Sequence, residues 1–312
     1  MKGTTVTRLD PIAQQMIDET RSSGQINAHL LPVADARLRF EAAFASLQKP
    51  ELASVRDVTI PTRDNQAIRG RLYLPDGRTA PGLVLYFHGG GWLLGSIDSH
   101  DVTARKLAES SGCPVLSVDY RRGPESPFPT AVNDALDALA WASSPENPLT
   151  IENNNRVVVA GDSAGGNLAA AVANESRDEG TVIHQLLVYP VTTWDLDRGM
   201  DPEFDGIMLE RDELQWHQDN YLAFEEDRSD RRVNVLSADL RGVPEATVIL
   251  AECDPIRPQG ELYVEALREA GVTLEVQQYT GMIHGFFGLD EVFPVAAEAM
   301  EFAGQRVSEA FR

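Results

Sequence analysis

Residues Gly161-Asp162-Ser163-Ala164-Gly165-Gly166 follow directly on the apolar run Val157-Val158-Val159-Ala160. A buried strand running into Gly-x-Ser-x-Gly, and then into small helix-compatible residues, stands one hydroxyl on a sharp turn at the carboxyl end of a sheet. Such a turn predicts strained backbone at the serine and no space for side chains two residues to either side, which Gly161 and Gly165 leave open. A helix starting at Ala164 aims free N–H groups and its positive dipole end at any oxyanion formed beside Ser163. The chemistry implied is attack by a serine hydroxyl on a carbonyl carbon. Alone the pattern is weak, since average Gly and Ser usage produces it in about one chain in ten of this length.

Three further segments carry the partners such a serine needs. In His88-Gly89-Gly90-Gly91-Trp92, successive glycines let backbone N–H groups approach a substrate oxygen, alongside the N–H of the residue after the nucleophile, Ala164. In Glu252-Cys253-Asp254-Pro255, a carboxylate after a strand can orient a histidine and stabilise its imidazolium. Asp254 equally fits a helix cap ahead of Pro255, and Glu252 is a rival one step back. In Gly281-Met282-Ile283-His284-Gly285-Phe286, a loop histidine between glycines is free to turn its ring toward Ser163. The other histidines fit less well: His88 belongs to the glycine turn, His184 begins a strand, and His29, His100 and His217 lie in N-terminal, helical and insertion segments. The chain order Ser163, Asp254, His284 is nucleophile, acid, base, the order of an α/β-hydrolase. No Cys/His cluster has zinc spacing and no glycine-rich loop carries a phosphate-cradling lysine, so neither metal nor organic cofactor is expected.

Elements able to position these residues are legible around them. Asp10-Pro11 opens a helix with a sparse stripe of Ile12, Met16 and Ile17. A second helix is expected over Ala34 to Leu47, with Leu38, Phe40, Ala43, Phe44 and Leu47 at helical spacing. Val55 to Ile60 and Ile68 to Leu74 read as an antiparallel strand pair across the turn Arg63-Asp64-Asn65. From Leu83 onward strands and helices alternate. Strands are expected at Leu83–Phe87, Val115–Val118, Val157–Ala160, Leu186–Tyr189, Ala246–Leu250 and Leu274–Gln278, and helices at Ser99–Ser110, Ala131–Ala142, Glu261–Glu269 and Val295–Ala310. The alternation predicts a mainly parallel sheet covered on both faces, with its site at the carboxyl ends of the strands. Thr192 to Ser237 interrupts it as a polar, acidic excursion bearing Trp194, Trp216, Tyr221 and Phe224, expected to form helices of its own.

Composition narrows the partners. Asp and Glu number 48 against 27 Lys and Arg, a formal net charge of −21, which argues against nucleic acid and anionic membranes. The acidic excess fits either salt adaptation or ordinary solubility in a GC-rich coding background. Hydrophobic residues make up 43%, enough for a packed core, while no apolar run reaches membrane-span length. Cys113 and Cys253 are the only cysteines, and the first residues lack a secretory apolar stretch, so a cytoplasmic location is expected.

In combination these segments resemble the hormone-sensitive lipase family of esterases, family IV among bacterial enzymes. His88–Gly91 and Gly161–Gly166 match its two signatures, and Asp119-Tyr120-Arg121 with Pro124-Glu125 and Phe128-Pro129 matches a third, structural segment. Asp254-Pro255-Ile256-Arg257 and His284-Gly285-Phe286 match its acid and base segments. The likeness runs from about Val55 to the C-terminus. It implies an α/β-hydrolase fold with a mostly parallel central sheet flanked by helices. A helical cap would be built from residues 1–50 and the insertion 192–237, over a catalytic domain of 51–191 and 238–312. It further implies oxyanion donors at Gly90, Gly91 and Ala164, with Gly89 less suited. The implied activity is a carboxylesterase that hydrolyses short- to medium-chain carboxylic esters through a Ser163–His284–Asp254 triad and an acyl-enzyme, with no cofactor. Its partner would be a small-molecule ester, with a homodimer formed through Leu274–Gln278 as a further expectation. Two alternatives share the motifs: a non-catalytic binder of the same fold, as in plant gibberellin receptors that lack the histidine, and an amidase or acyltransferase using the same triad. The chain departs from the family pattern at Pro258-Gln259-Gly260, where Asp-Glu-Gly is usual, and at Ser126, where histidine is common.

Overall fold

The computed structural model describes residues 8–77, 82–145, 147–149, 151 and 155–312. The first seven residues of the expected N-terminal cap segment lie outside the described residues, as do 78–81, 146, 150 and 152–154 of the expected catalytic domain. Among the described residues eight strands form one sheet: β1 (Ser54–Pro61), β2 (Ala67–Leu74), β3 (Leu83–Phe87), β4 (Val115–Asp119), β5 (Val157–Asp162), β6 (Val182–Val188), β7 (Glu245–Ala251) and β8 (Leu274–Tyr279). Their order across the sheet is β1-β2-β4-β3-β5-β6-β7-β8. β1 and β2 pair antiparallel with Ile60 opposite Ile68, and β2 runs antiparallel to β4. Every pairing from β4 to β8 is parallel, as the alternating pattern requires.

The two central strands, β3 and β5, are buried along their whole length, because helices cover both faces. Side chains alternate between the layers. Leu85, Phe87 and Val159 pack with Ala135 of α4 (Thr130–Ser143), Leu168 of α5 (Ala164–Glu175) and Leu267 of α8 (Arg257–Glu269). Val84, Tyr86, Val158 and Ala160 pack instead with Leu107 of α3 (Asp101–Ser111) and Val307 of α9 (Pro294–Ala310). Each fully buried aliphatic side chain of this kind contributes about 1.5–3 kcal/mol. Among the described residues no helix is long and apolar enough to cross a membrane.

Two helices precede the sheet. In α1 (Pro11–Ser22) the Asp10 carboxylate accepts the Ile12 N–H at 2.8 Å and Pro occupies the first turn, as expected. Its buried residues are Ala13 and Ile17, whereas Ile12 is exposed. The following helix, α2 (Val33–Phe44), buries Ala36 with Phe40 partly covered, and Leu38 is 70% exposed. Residues four apart share a helix face, so Leu38, two from each, points the other way. The insertion between β6 and β7 holds the single turn α6 (Leu196–Gly199), the helix α7 (Arg211–Tyr221) and short 3-10 turns. α8 starts at Arg257 rather than Glu261, because Pro258 sits in its first turn where no N–H is needed.

Candidate active site

The turn after β5 is as tight as its glycines suggest. Ser163 has φ 55° and ψ −119°, a conformation that costs a non-glycine residue about 1–3 kcal/mol. It is held by the Ser163 N–H on the Val188 carbonyl at 2.9 Å and by the Ser163 carbonyl accepting from Asn167 and Val191. A Cβ at Gly165 would overlap the Phe87 carbonyl oxygen, and one at Gly161 would overlap the Gly165 carbonyl. The neighbouring strand therefore approaches at a distance only glycine allows.

The structure brings the three sequence-predicted side chains together. Ser163 Oγ lies 2.9 Å from His284 Nε2, and His284 Nδ1 lies 2.8 Å from Asp254 Oδ2. Asp254 is fully buried, and its other oxygen accepts the Ile256 N–H at 2.9 Å. Asp254 does not cap α8, whose N-cap is Ile256 with no side-chain cap bond; one of its oxygens closes the turn ahead of that helix and the other faces the histidine. Glu252, the rival acid, is engaged elsewhere, accepting the Gly281 N–H at 2.8 Å and so bracing the loop that carries His284. The His284 ring rests against Tyr189, with centroids 4.6 Å apart. An imidazole bridging a hydroxyl and a buried carboxylate can take the hydroxyl proton and have the resulting positive charge stabilised.

The glycine run lies beside this serine. Gly89 gives its N–H to Asp162 Oδ1 at 3.0 Å, so that group is spent within the protein. The N–H groups of Gly90, Gly91 and Ala164 donate to no group among the described residues. Gly90 and Gly91 have φ of 113° and 61°, and a Cβ at Gly91 would overlap the His217 ring. Beneath the loop, the His88 ring stacks on Tyr120 at 4.3 Å, its Nδ1 is 2.8 Å from the Gly89 oxygen, and the Tyr120 hydroxyl donates to the His88 carbonyl. Burial, reinforced by the His100 charge, holds the His88 imidazole neutral far below its ordinary range.

Sequence reasoning missed several supports. Asp162 sits within the elbow motif yet was given no role there. Its carboxylate accepts from Gly89 and from the Tyr86 hydroxyl at 2.6 Å, and lies 3.5 Å from His100 Nε2. Burial opposes its charge, but the His100 charge and the hydrogen bonds outweigh it and hold the carboxyl below its usual range. Arg37 of α2 was also missed. It donates to the carbonyls of Leu93 and Gly123 and grips both Glu125 oxygens, tying the N-terminal helix to the end of the glycine loop. Glu125 is thus occupied by Arg37, and Ser126 beside it makes a backbone turn to Arg122 rather than a pocket contact. At the other departure, Gln259 is buried and its side-chain oxygen accepts from the N–H groups of Thr192 and Thr193. It anchors the start of the insertion. An amide oxygen accepts there as well as a carboxylate does, so the usual acid is dispensable.

A cavity of about 340 Å³ opens above Ser163 and His284. Its walls are mostly apolar and come from both expected cap segments, including Phe40 of α2 and Trp194, Leu209 and Leu214 of the insertion. Trp194 and Tyr221 stack on Trp92 at 5.0 and 4.8 Å, joining the insertion to the glycine loop, while Phe224 stays exposed. Such a volume suits a small organic ligand.

Comparison with known proteins agrees with this fold. Residues 84–288 match the model of a family described as having the alpha/beta hydrolase fold. Over 298 residues the chain is 35% identical to the ethyl acetate hydrolase of Pseudomonas putida, covering 92% of this chain and 93% of that protein. It is 37% identical to the carboxylesterase NlhH of Mycobacterium tuberculosis, covering 96% of each. Among solved structures, the hyperthermophilic esterase of Pyrobaculum calidifontis superposes with a TM-score of 0.88 at 36% identity, covering 97% of this chain and 99% of that one.

Proposed function

The chain belongs to the α/β-hydrolase family, in its hormone-sensitive-lipase-like esterase branch, and as a serine ester hydrolase of that branch we propose that it cleaves short- to medium-chain carboxylic esters through Ser163, His284 and Asp254. One observation carries the reading: the unbroken line from Ser163 Oγ to His284 to Asp254, at 2.9 and 2.8 Å, on the floor of the largely apolar cavity.

In the proposed sequence His284 Nε2 removes the Ser163 proton as the hydroxyl oxygen attacks the ester carbonyl. Asp254 keeps the proton of the imidazole on Nδ1 and stabilises the imidazolium that forms. The carbonyl oxygen, now negative, is met by the N–H groups of Gly90, Gly91 and Ala164, each donor contributing about 3 kcal/mol to the transition state. The imidazolium returns its proton to the leaving alcohol, and water then repeats the steps on the acyl-enzyme to release the acid. Gly89 takes no part, since its N–H is held by Asp162. The cavity volume of about 340 Å³ supports esters of modest size, and the N-terminal helices and insertion act as the cap that encloses them.

The test is Ser163→Ala assayed with p-nitrophenyl esters of acetate, butyrate, octanoate and dodecanoate, beside the matched anilides. Wild-type turnover that peaks at or below octanoate and vanishes in Ser163→Ala, with an unchanged melting temperature, is the expected result. Retained turnover in Ser163→Ala overturns the nucleophile, and preferred cleavage of the anilides makes the protein an amidase instead.

A further inference from the structure

Helix α7 sets two titratable side chains one turn apart in the cavity wall, Glu213 and His217, and the acyl-transfer sequence uses neither. The Glu213 side chain is only 16% exposed, and among the described residues no group donates a hydrogen bond to its carboxylate. His217 Nε2 lies 3.9 Å from Glu213 Oε1, too far for a hydrogen bond. The Nδ1 side of the His217 ring packs against Gly91, and that nitrogen is buried with no hydrogen-bond partner. Burial foremost, with the charges of His284 and His29 and against the pull of the Gly91 backbone, keeps this imidazole neutral down to about 4. The ion pair that an exposed Glu and His would make at this spacing is therefore absent at neutral pH.

The charges around Glu213 do not replace it. Glu210 is the N-cap residue of the same helix, and its Oε1 is 3.1 Å from His29 Nδ1. Arg39 of α2 is the cation that faces Glu213 from another element, and the His284 ring of the loop after β8 faces it as well. Burial, seconded by Glu210, outweighs both and pushes Glu213 up to about 7. A carboxylate in such a wall is short of one positive charge, which a bound cation would supply.

Resting on the esterase reading, we propose that Glu213 and His217 form a subsite for an ammonium group carried by the substrate, so that esters bearing a protonated primary amine are a preferred class. The two acceptors face each other across 3.9 Å, a gap that an ammonium nitrogen can bridge. It donates one N–H to Glu213 and another to the Nε2 lone pair of His217, whose own proton then sits on the Nδ1 facing Gly91. A hydroxyl has one hydrogen to give and satisfies only one of the two acceptors.

The experiment compares methyl 6-aminohexanoate with methyl heptanoate, and methyl 8-aminooctanoate with methyl nonanoate, pairs in which ammonium replaces methyl. The alkylammonium stays protonated throughout, and any effect of pH on the shared acyl-transfer steps acts on both members of a pair, so the ratio of kcat/KM values isolates the subsite. In the wild type that ratio should rise about tenfold from pH 6 to pH 8 as Glu213 ionises. Glu213→Gln should abolish the rise and lower the ratio at pH 8 by about tenfold. A ratio that is flat with pH in both pairs overturns the subsite. So does one unaltered in a folded Glu213→Gln. Hydrolysis of the neutral esters alongside a flat ratio leaves the esterase reading standing. Calorimetric titration of the wild type with hexylammonium, which needs no turnover, should show tighter binding at pH 8 than at pH 6 and tighter than hexan-1-ol. Equal affinities refute the subsite even if no ester is cleaved.

Discussion

Replacing Glu213 by glutamine is expected to stabilise the protein in alkaline solution and to leave it almost unchanged in acid. The carboxyl is held from its ordinary 4.5 up to about 7, chiefly by burial, which corresponds to about 3 kcal/mol against the ionised form. The fold favours the protonated carboxyl, so no penalty exists below pH 4.5, where folded and unfolded chains are both protonated. As pH rises the unfolded chain ionises first, and the penalty grows until it is complete above about 7. Glutamine never ionises. The stability difference between Glu213→Gln and wild type should therefore climb from near zero at pH 4.5 to about 3 kcal/mol at pH 8. With an unfolding entropy of about 2.1 cal/mol/K per residue, a chain of this length gains about 4–5 °C in Tm from that difference. Thermal melts followed by circular dichroism at pH 4.5, 6, 7 and 8 measure it. His184 and His217, both held neutral by burial down to about 4, lower stability as pH falls from 6.5, but they do so in both proteins. A Tm difference that does not grow with pH, or a variant less stable than wild type at pH 8, would refute the assignment of a buried, uncompensated carboxylate.

Other substitutions test the rest of the site. Asp254→Asn leaves an acceptor for the Ile256 N–H but removes the charge facing His284, so kcat should fall by about 10⁴ with little change in Tm. Gly91→Ala places a methyl where the His217 ring lies and forces an L-residue to φ 61°. Displacing this proposed oxyanion donor should lower kcat by about 10²–10³, and adding His217→Ala should recover part of it in the double variant. Gln259→Ala orphans the buried N–H groups of Thr192 and Thr193, at a cost of about 1–3 kcal/mol each. Urea unfolding should show that loss, and Gln259→Glu should restore most of it.

The parts of this molecule governed by local rules could be read before any coordinates. The parallel strands showed as short apolar runs because both their faces are covered, and the Ser163 turn showed because only glycine tolerates the Phe87 carbonyl so close to Gly165. Asp254 and His284 were legible by type and order, each in a loop just past a strand. Long-range contacts were not. Arg37 reaches across the fold to Glu125, and nothing at position 37 distinguishes it from any other helical arginine. Glu213 and His217 showed only as polar residues of an acidic insertion, since their burial depends on how α7 packs over the glycine loop. Leu38 differs in the opposite sense: placed with Phe40 and Phe44 at helical spacing, it is exposed, two positions out of phase with the covered face of α2.

Asp162 gives the catalytic floor a kind of independence. Its backbone leads directly into Ser163, the proposed nucleophile, and its side chain holds the Gly89 N–H at the start of the glycine loop. Nucleophile and loop are thus registered to each other through one residue rooted in β5, with Tyr86 of β3 as its brace. The two pieces whose spacing the proposed reaction depends on share that mechanical anchor, and the helices overhead form a roof above it. The roof meets that floor where the His217 ring packs against Gly91 and where Trp194 and Tyr221 stack on Trp92, so a change in the roof reaches the glycine loop there.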